Sequence, residues 1–319
     1  MEKTSLLDYI SSAVRNGKLP EGFSLPDEEG DIAFADGAQD GIAIYHGASE
    51  EISDEDYALM EEAIKAASDK EFEKAEGLFR QLGKKVRAVS LIDEMQQYIL
   101  ERKAELNGAG LHEYAIKTAF STDDKECLKY ALIILELFVT DKNESWKKDL
   151  RTLALSDEFT GFVVFLMRNW TNGNDEIFEL VKKVHGWGRI HALEHLYPDS
   201  EEIRNFFLKD AIHNDVLPAY SALTCFEKSE MENVLKGSLT YEEFCGVRDI
   251  IEGLLDEGPI EGLSAIENKE EIILNFLEKA QKVLLLERDY EVIEQIDSYF
   301  EEEKNEAVIS LCKKLLEKK

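Results

Sequence analysis

The sequence predicts an all-α protein in which pairs of helices stack side by side into an α-solenoid. Proline is scarce, with 5 residues in 319, so few breaks interrupt a helical pattern. Apolar residues recur at helical spacing through residues 185–226. Second helices of successive pairs are expected to begin near Asp124, Asp157, Gly188 and Val216. These steps of roughly 28–33 residues are typical of short helical repeats, in which each unit buries its apolar face on its neighbours.

The amino-terminal part of the chain differs from the rest. Residues 4–16 carry an apolar face and predict a first helix. Residues 17–49 are rich in glycine and contain two of the prolines. Within them, the stretch IAFADGAQDGIAIY (residues 32–45) sets two short apolar runs around a Gly/Asp-rich centre. That pattern predicts a short β-hairpin.

From residue 53 the pattern is helical again. Ser53 and Asp56 are spaced as a capping box, and Thr240 and Glu243 form a second one further along. In the segment SDKEFEKAEGLF, the order of small and aromatic residues resembles that of half a tetratricopeptide repeat. Residues 304–318 predict an amphipathic last helix that caps the array.

These patterns predict three regions. Residues 1–50 hold the first helix and the hairpin segment. Residues 51–107 form a helical hairpin of tetratricopeptide type. Residues 108–319 form the array of helical pairs.

The chain is strongly acidic, with 67 Asp and Glu against 37 Lys and Arg and a formal net charge of −30. Residues 1–62 alone hold 16 acidic and 3 basic residues. Such a surface repels nucleic-acid phosphates and anionic lipid headgroups, so neither nucleic acid nor membrane is an expected partner. Solvated helix faces explain the charge without any partner. The alternative is a groove that binds a basic protein or peptide.

The cysteines and the apolar stretches bear on the cellular compartment. The cysteines are far apart and form no CxxC pair, so buried free thiols are expected at Cys127, Cys225, Cys245 and Cys312. Residues 1–18 lack the apolar core of a signal peptide. The longest apolar stretches, residues 130–139 and 159–167, are too short to cross a bilayer. The sequence therefore predicts a cytoplasmic protein.

One segment carries an enzyme-like motif. His191, Glu194 and His195 fit the pattern HxxEH, which occurs in one class of zinc peptidases. Residues four apart share a helix face, so both imidazoles could bind one Zn²⁺ while Glu194 activates water. The same letters also match the second helix of a helical repeat, in which Ala192 and Leu196 face the core. The pattern therefore fits either a zinc site or a helix of a repeat, and the second interpretation is favoured.

Two further clusters are candidates for binding. Aromatic and histidine side chains are expected to line a partner-binding groove at His185, Trp187, His191 and Tyr220, although a half-buried seam between helices explains them equally well. The predicted hairpin is crowded with groups that could hold a divalent cation, namely Asp31, Asp36, Asp40 and His46. Asp-Gly turn chemistry explains these aspartates without an ion. No cofactor is expected, because the chain has no GxGxxG after a strand, no GxxxxGK[ST] and no CxxCH.

HGWGRIHALEHL and the following SEEIRNFFLKDAIHNDVLPAYSALTC resemble the HEAT-like repeats of bacterial helical-repeat proteins. The resemblance covers residues 110–230 and implies a right-handed array of helical pairs. LPEGFSLP, FADGAQDGIAIYHG and VHGWGRIHAL are similar to segments of a bacterial group of unknown function, some of which carry the label limonene hydroxylase. That label implies a monooxygenase with flavin, haem or iron, and the sequence offers no residues that would hold one.

The leading hypothesis is a non-enzymatic scaffold that uses a helical-repeat groove to bind another protein or peptide, a basic one included. This hypothesis is an analogy at the level of the fold. Two enzyme alternatives stay open. One is a metal-dependent hydrolase centred on His191, Glu194 and His195, and the other is the monooxygenase of the label.

Overall fold

A computed structural model describes residues 4–26, 34–47, 51–258 and 260–319. Over these residues the fold is all-α, as predicted, with eighteen α-helices, two 3₁₀ turns and one isolated bridge between Arg15 and Lys18. The chain divides into two compact units, Met1–His195 and Leu196–Lys319. In the described part, no helix is long and apolar enough to cross a membrane.

The described residues of the first unit form eleven α-helices. They are α1 (Leu6–Ala13), α2 (Ala38–Tyr45), α3 (Asp54–Ser68), α4 (Phe72–Gly83), α5 (Ile92–Glu101), α6 (Gly108–Ser121), α7 (Lys125–Glu136), α8 (Glu144–Leu153), α9 (Asp157–Met167), α10 (Gly173–Val181) and α11 (Trp187–His195). A 3₁₀ turn, Ala88–Leu91, leads into α5.

The helices of the first unit pack around one row. Helices α4, α7, α9 and α11 contact one another in succession, and each also contacts the helix that precedes it in the chain: α3, α6, α8 and α10. Aromatic rings fill the start of the row, where Phe79 stacks on Tyr114 at 5.7 Å and on Tyr130 at 5.1 Å between ring centroids. Ala192 on α11 is fully buried, as predicted, and lets α11 approach α9 closely.

Seven α-helices lie in the second unit, counted over residues 196–258 and 260–319. They are α12 (Glu201–Lys209), α13 (Ala219–Lys228), α14 (Met231–Lys236), α15 (Tyr241–Leu255), α16 (Lys269–Ala280), α17 (Glu287–Glu303) and α18 (Glu306–Leu316), with a 3₁₀ turn at Leu263–Ala265. Helix α15 is central, because it contacts α12, α13, α16 and α17. Phe244 of α15 stacks on Phe276 of α16 at 5.1 Å, which fixes this pair of helices.

Local side-chain chemistry explains where many helices begin. Both predicted capping boxes are confirmed: Ser53 with Asp56 starts α3, and Thr240 with Glu243 starts α15. Three of the four predicted helix starts agree within one residue, at α7, α9 and α11, and α13 begins at Ala219, three residues after Val216. At α7 the start follows from a local cap, because Asp124 accepts a hydrogen bond from Cys127 N–H three residues later.

The predicted β-hairpin is wrong over the described residues. Its second apolar run lies in α2, and its beginning at residues 32–33 lies outside the described residues. Gly37 adopts a φ of 76° and turns the chain into the helix. The small residues Ala38 and Gly41 are buried and lie three apart, so they form one helical face that packs on the rest of the unit.

The cysteines follow the prediction in three of four positions. Cys127, Cys225 and Cys312 are buried free thiols, and Cys245 is partly exposed. Burial raises the pKa of Cys312 to about 12, so this thiol stays protonated at neutral pH.

Candidate functional site

The first unit contains a pocket of about 530 Å³, a size typical of ligand sites. Helices α2, α5, α7, α9 and α11 and the 3₁₀ turn before α5 all contribute to its lining. Seven carboxylates line it, namely Asp40, Asp93, Glu94, Glu136, Asp157, Glu158 and Glu194. The remaining lining includes the apolar side chains Ile44, Val89, Ile92, Phe162 and Phe165 and the imidazoles of His191 and His195. Among the described residues, no lysine or arginine lines this pocket.

A fully buried lysine lies behind the pocket wall. Lys129 on α7 has no exposed surface. Its Nζ lies 2.6 Å from Asp40 Oδ2, 2.9 Å from Glu126 Oε1 and 2.6 Å from Glu158 Oε1. Arg87 lies 3.4 Å from the other carboxylate oxygen of Asp40. Two cations, Lys129 and Arg87, therefore face three carboxylates in this buried cluster.

Backbone donors hold two of these carboxylates in place. Gly37 N–H donates to Glu158 Oε2 at 2.7 Å, and Ala88 N–H donates to Glu126 Oε2 at 2.7 Å. Burial raises the pKa of Glu158, but the charge and hydrogen bond of Lys129 outweigh it, so the net pKa is lowered. For Glu126, burial and the nearby charge of Asp40 outweigh Lys129, and the pKa is raised. The two glutamates therefore differ in how strongly their environment favours the charged form.

Helix α2 forms one wall of the pocket and is held there by specific contacts. A Cβ on Gly41 would lie 2.1 Å from the ring of Trp187, so only glycine permits this close approach. Tyr45 Oη donates a hydrogen bond to Glu194 Oε1 at 2.5 Å, and its ring stacks on His191 at 5.8 Å. Together with the Asp40–Lys129 pair, these contacts join α2 to α7 and α11.

His191 is the most distinctive side chain of the lining. It is 8% exposed, and its ring lies 5.8 Å from Tyr45 and 6.4 Å from Trp187 between centroids. Over the part of the chain that the structure describes, neither ring nitrogen makes a hydrogen bond. Burial lowers the pKa of His191 to about 4, so the imidazole is neutral at pH 7 and keeps one nitrogen as an acceptor. Because His191 lines the pocket, that acceptor is available to a donor inside it.

Three carboxylates of the lining have no cationic partner among the described residues. Asp93 and Glu94 lie on α5, and Glu136 lies on α7 and accepts a hydrogen bond only from the neutral Gln96 amide, at 2.7 Å. A low-dielectric cleft lined by charges of one sign raises the local concentration of counter-ions. The pocket is therefore suited chemically to a cationic group.

The predicted partner-binding residues are found in different places. Trp187 and His191 lie together on α11 and share the neighbour Tyr45, which the sequence did not single out. His185, just before α11, is exposed. Tyr220 lies on α13, in the second unit.

In the HxxEH pattern, His191 and Glu194 share the neighbour Tyr45, whereas His195 packs on Phe165. His191 lies against Tyr45 and Trp187, Glu194 accepts a hydrogen bond from Tyr45, and the ring of His195 lies 4.7 Å from that of Phe165. Within the described ranges, no group of three or more His, Cys, Asp or Glu side chains is arranged to hold a metal ion.

The residues of the predicted cation site also have individual roles. Asp31 lies outside the described residues. Asp36 accepts a hydrogen bond from Leu25 N–H at 3.1 Å, and Asp40 pairs with Lys129. His46 is exposed at the end of α2.

Sequence reasoning missed several residues that shape the pocket. Lys129 could have been found, because a lone lysine inside the apolar run CLKYALIIL needs a buried partner. Nothing in the sequence marks Glu94 and Glu136 as pocket residues, since each occupies an ordinary polar position on a helix. Glu158 was not singled out from the sequence.

Comparisons of the chain with protein-family models, with curated proteins and with solved structures find no match.

Proposed function

We propose that this protein is a non-enzymatic binding protein whose first unit takes up a lysine or arginine side chain from a basic segment of a partner protein. One observation carries the proposal. The pocket is lined by seven carboxylates and, among the described residues, by no lysine or arginine. It also includes His191, which is buried and neutral and makes no hydrogen bond within that same part of the chain. A cation that also donates hydrogen bonds satisfies both features at once.

The apolar lining suits the stem of such a side chain. Lysine and arginine carry three or four methylene groups below the charge, and these pack well on apolar surface. Ile44, Ile92, Phe162 and Phe165 offer that surface beside the carboxylates. The phenylalanine rings add a cation–π attraction of about 0.5–1 kcal/mol where the cation remains partly hydrated.

A basic partner also suits the electrostatics of the whole chain. The net charge of −30 attracts a cationic segment from a distance and raises the association rate at low ionic strength. Within the pocket, Asp93, Glu94 and Glu136 have no cationic partner among the described residues, so their charges add to this attraction.

We also propose that the helical pairs of the first unit form a HEAT-like stack. Within residues 54–195, the successive pairs α3/α4, α6/α7, α8/α9 and α10/α11 support a HEAT-like stack, because the second helix of each pair contacts the second helix of the next. Glu136, Glu158 and His191 come from three members of that row. In this interpretation the partner binds along one side of the stack, as partners do in other helical-repeat proteins.

Calorimetric titration with a hexalysine peptide at low salt tests the proposal. The double substitution Glu94→Gln with Glu136→Gln is expected to weaken binding about threefold to tenfold, since each exposed ion pair contributes about 0.2–1 kcal/mol. His191→Phe keeps the ring contacts but removes the acceptor nitrogen, and it is also expected to weaken binding. Glu73→Gln is the matched control, because Glu73 is an exposed acid of the first unit outside the pocket.

Two outcomes would contradict the proposal. If Glu73→Gln weakens hexalysine binding as much as the pocket double variant does, the peptide binds the acidic surface diffusely. If the intact protein does not bind hexalysine at low salt, the pocket does not accept lysine side chains.

A further inference from the structure

We propose a second interaction surface, on the second unit, that binds an acidic segment of a partner protein bearing apolar side chains. We call it the leucine-loop surface. It consists of the apolar residues Tyr241, Val283, Leu284 and Leu286 and the basic residues Lys236, Lys279 and Lys282. It belongs to Leu196–Lys319 and is independent of the carboxylate pocket.

The apolar residues of the leucine-loop surface are unusually exposed to solvent. The loop between α16 and α17 reads QKVLLL, and Leu284 is 83% exposed and Leu286 54% exposed. Tyr241, at the start of α15, is 42% exposed and lines the same depression of about 410 Å³. Contiguous exposed apolar residues in a loop are unfavourable in water unless a partner covers them, so they mark an interaction site.

The basic part adjoins the apolar part at Val283. A cleft of about 530 Å³ is lined by Lys236, Lys279 and Lys282 together with the turn between α14 and α15. Lys279 Nζ donates to the carbonyl of Gly237, a neutral acceptor. Over the described residues Lys282 has no carboxylate partner, and only Lys236 pairs with an acid, Glu232 at 2.9 Å.

Three lysines at one cleft are unusual in a chain with 67 acidic and 37 basic residues. Because neither Lys279 nor Lys282 pairs with a carboxylate among the described residues, their charges are available to a partner carboxylate. These two lysines lie beside the leucines, so the surface favours a ligand that is both acidic and apolar.

The loop is fixed before any partner binds. Leu286 N–H donates to Asp289 Oδ2 at 2.7 Å, and Asp289 is fully buried and pairs with Arg248 at 2.6 Å. At the other end of the loop, Ala280 is buried at the end of α16. Since both ends are anchored, little conformational entropy is lost when a partner covers the leucines.

The net charge of the chain favours one class of ligand for the leucine-loop surface. A chain of charge −30 is repelled by the many phosphates of a nucleic acid or an anionic bilayer and by a second copy of itself. A short acidic segment carries few charges and approaches the lysines at close range, where their attraction dominates. We therefore assign the surface to such a segment.

Fluorescence anisotropy with the labelled probe peptide EELLEELLEE tests the assignment. The intact protein is expected to bind the probe, and Leu284→Ser and Lys282→Glu are each expected to weaken binding about tenfold. A decaglutamate peptide is expected to bind at least about fivefold more weakly than the probe, because it lacks the apolar contacts. Leu217→Ser and Lys314→Glu are matched controls, since both residues are exposed in the second unit but lie outside the surface.

Several results would overturn the assignment. Equal probe binding by Leu284→Ser and Leu217→Ser excludes the leucine loop as the binding site. A concentration-dependent dimer that Leu284→Ser abolishes makes the surface an interface between copies. Binding to phosphatidylserine vesicles that Leu284→Ser abolishes, with no binding of the probe, makes it a membrane contact. Hexalysine binding by Leu284→Ser is expected to be unchanged, so failure here is distinguishable from failure at the carboxylate pocket.

Discussion

His191 is a titratable group whose burial links its protonation to folding. The pKa of an unfolded histidine is near 6.5, and burial lowers the pKa of His191 to about 4. Between these values the unfolded chain binds a proton that the folded chain excludes. The contribution of this residue to stability is therefore fully present above pH 6.5 and is lost as the pH falls toward 4.

We predict that His191→Gln flattens the pH profile of stability in this window. The free energy of unfolding of the unmodified protein is expected to fall by up to about 3 kcal/mol more than that of the variant between pH 6.5 and pH 4. Urea unfolding at a series of pH values measures the difference. His185→Gln, at an exposed position, serves as the control. Parallel profiles for the unmodified protein and His191→Gln would contradict the prediction.

Lys129 shows how much depends on a single buried cation. Burial lowers the pKa of Lys129, but the charges of Glu126, Asp40 and Glu158 outweigh it, and the net pKa is raised. We predict that Lys129→Met destabilises the protein by about 3–5 kcal/mol, because it leaves three carboxylates close together without their shared ammonium group. Denaturant unfolding followed by circular dichroism measures this loss.

Glu126→Gln is the informative comparison for Lys129→Met. The raised pKa of Glu126 means that its environment disfavours the charged form, and a neutral amide still accepts the hydrogen bond from Ala88 N–H. The expected loss is therefore below about 2 kcal/mol. A larger loss for Glu126→Gln than for Lys129→Met would show that the cluster is not governed by its single positive charge.

At the scale of single elements, α2 depends on the close approach of Gly41 to Trp187. We predict that Gly41→Ala destabilises the protein by about 1–3 kcal/mol, because the added methyl group overlaps a buried indole ring. Gly77→Ala is a matched control on α4, where a Cβ meets no atom within 4 Å. That control is expected to be neutral or to stabilise the helix by up to about 1 kcal/mol. Thermal unfolding compares the two, and equal melting temperatures would contradict the role of Gly41.

The same helix explains why sequence reasoning worked for most elements and not for this one. The starts of α3, α7 and α15 follow from caps formed by nearby residues, which a sequence displays directly. The conformation of residues 38–45 is decided instead by Trp187 and Lys129, which lie far along the chain. Alternating small and apolar letters fit a strand and a short helix equally well, and only the distant partners distinguish them.

The candidate pocket was partly predictable for the same reason. The sequence singled out His191, which lines the pocket, and Trp187, which lies beside it on α11. It did not indicate that Glu94 and Glu136 lie near His191, because their helices meet only in the folded unit. A polar residue on a helix surface does not indicate in the sequence which residues of other helices will lie near it.

At the scale of the whole molecule, the excess of acidic residues opposes folding through mutual repulsion. We predict that raising sodium chloride from about 10 mM to about 200 mM increases the melting temperature, since screening weakens this repulsion more than it weakens the scattered surface ion pairs. The same change is expected to weaken hexalysine binding. Differential scanning calorimetry and titration in the same buffers measure the two effects, and a melting temperature that falls with salt would contradict the first.

The contacts of α2 also set an order of assembly. Asp40, Gly37 and Tyr45 bind partners that lie 89, 121 and 149 residues later in the chain. Closing such long loops is slow, because the chain loses conformational entropy before the long-range contacts form. On the ribosome, at about 5–20 residues per second, α2 is made roughly 7–30 s before Glu194 exists. The pocket is thus completed late, and pulse-labelling hydrogen exchange during refolding should find the amides of α2 protected after those of α7 and α9.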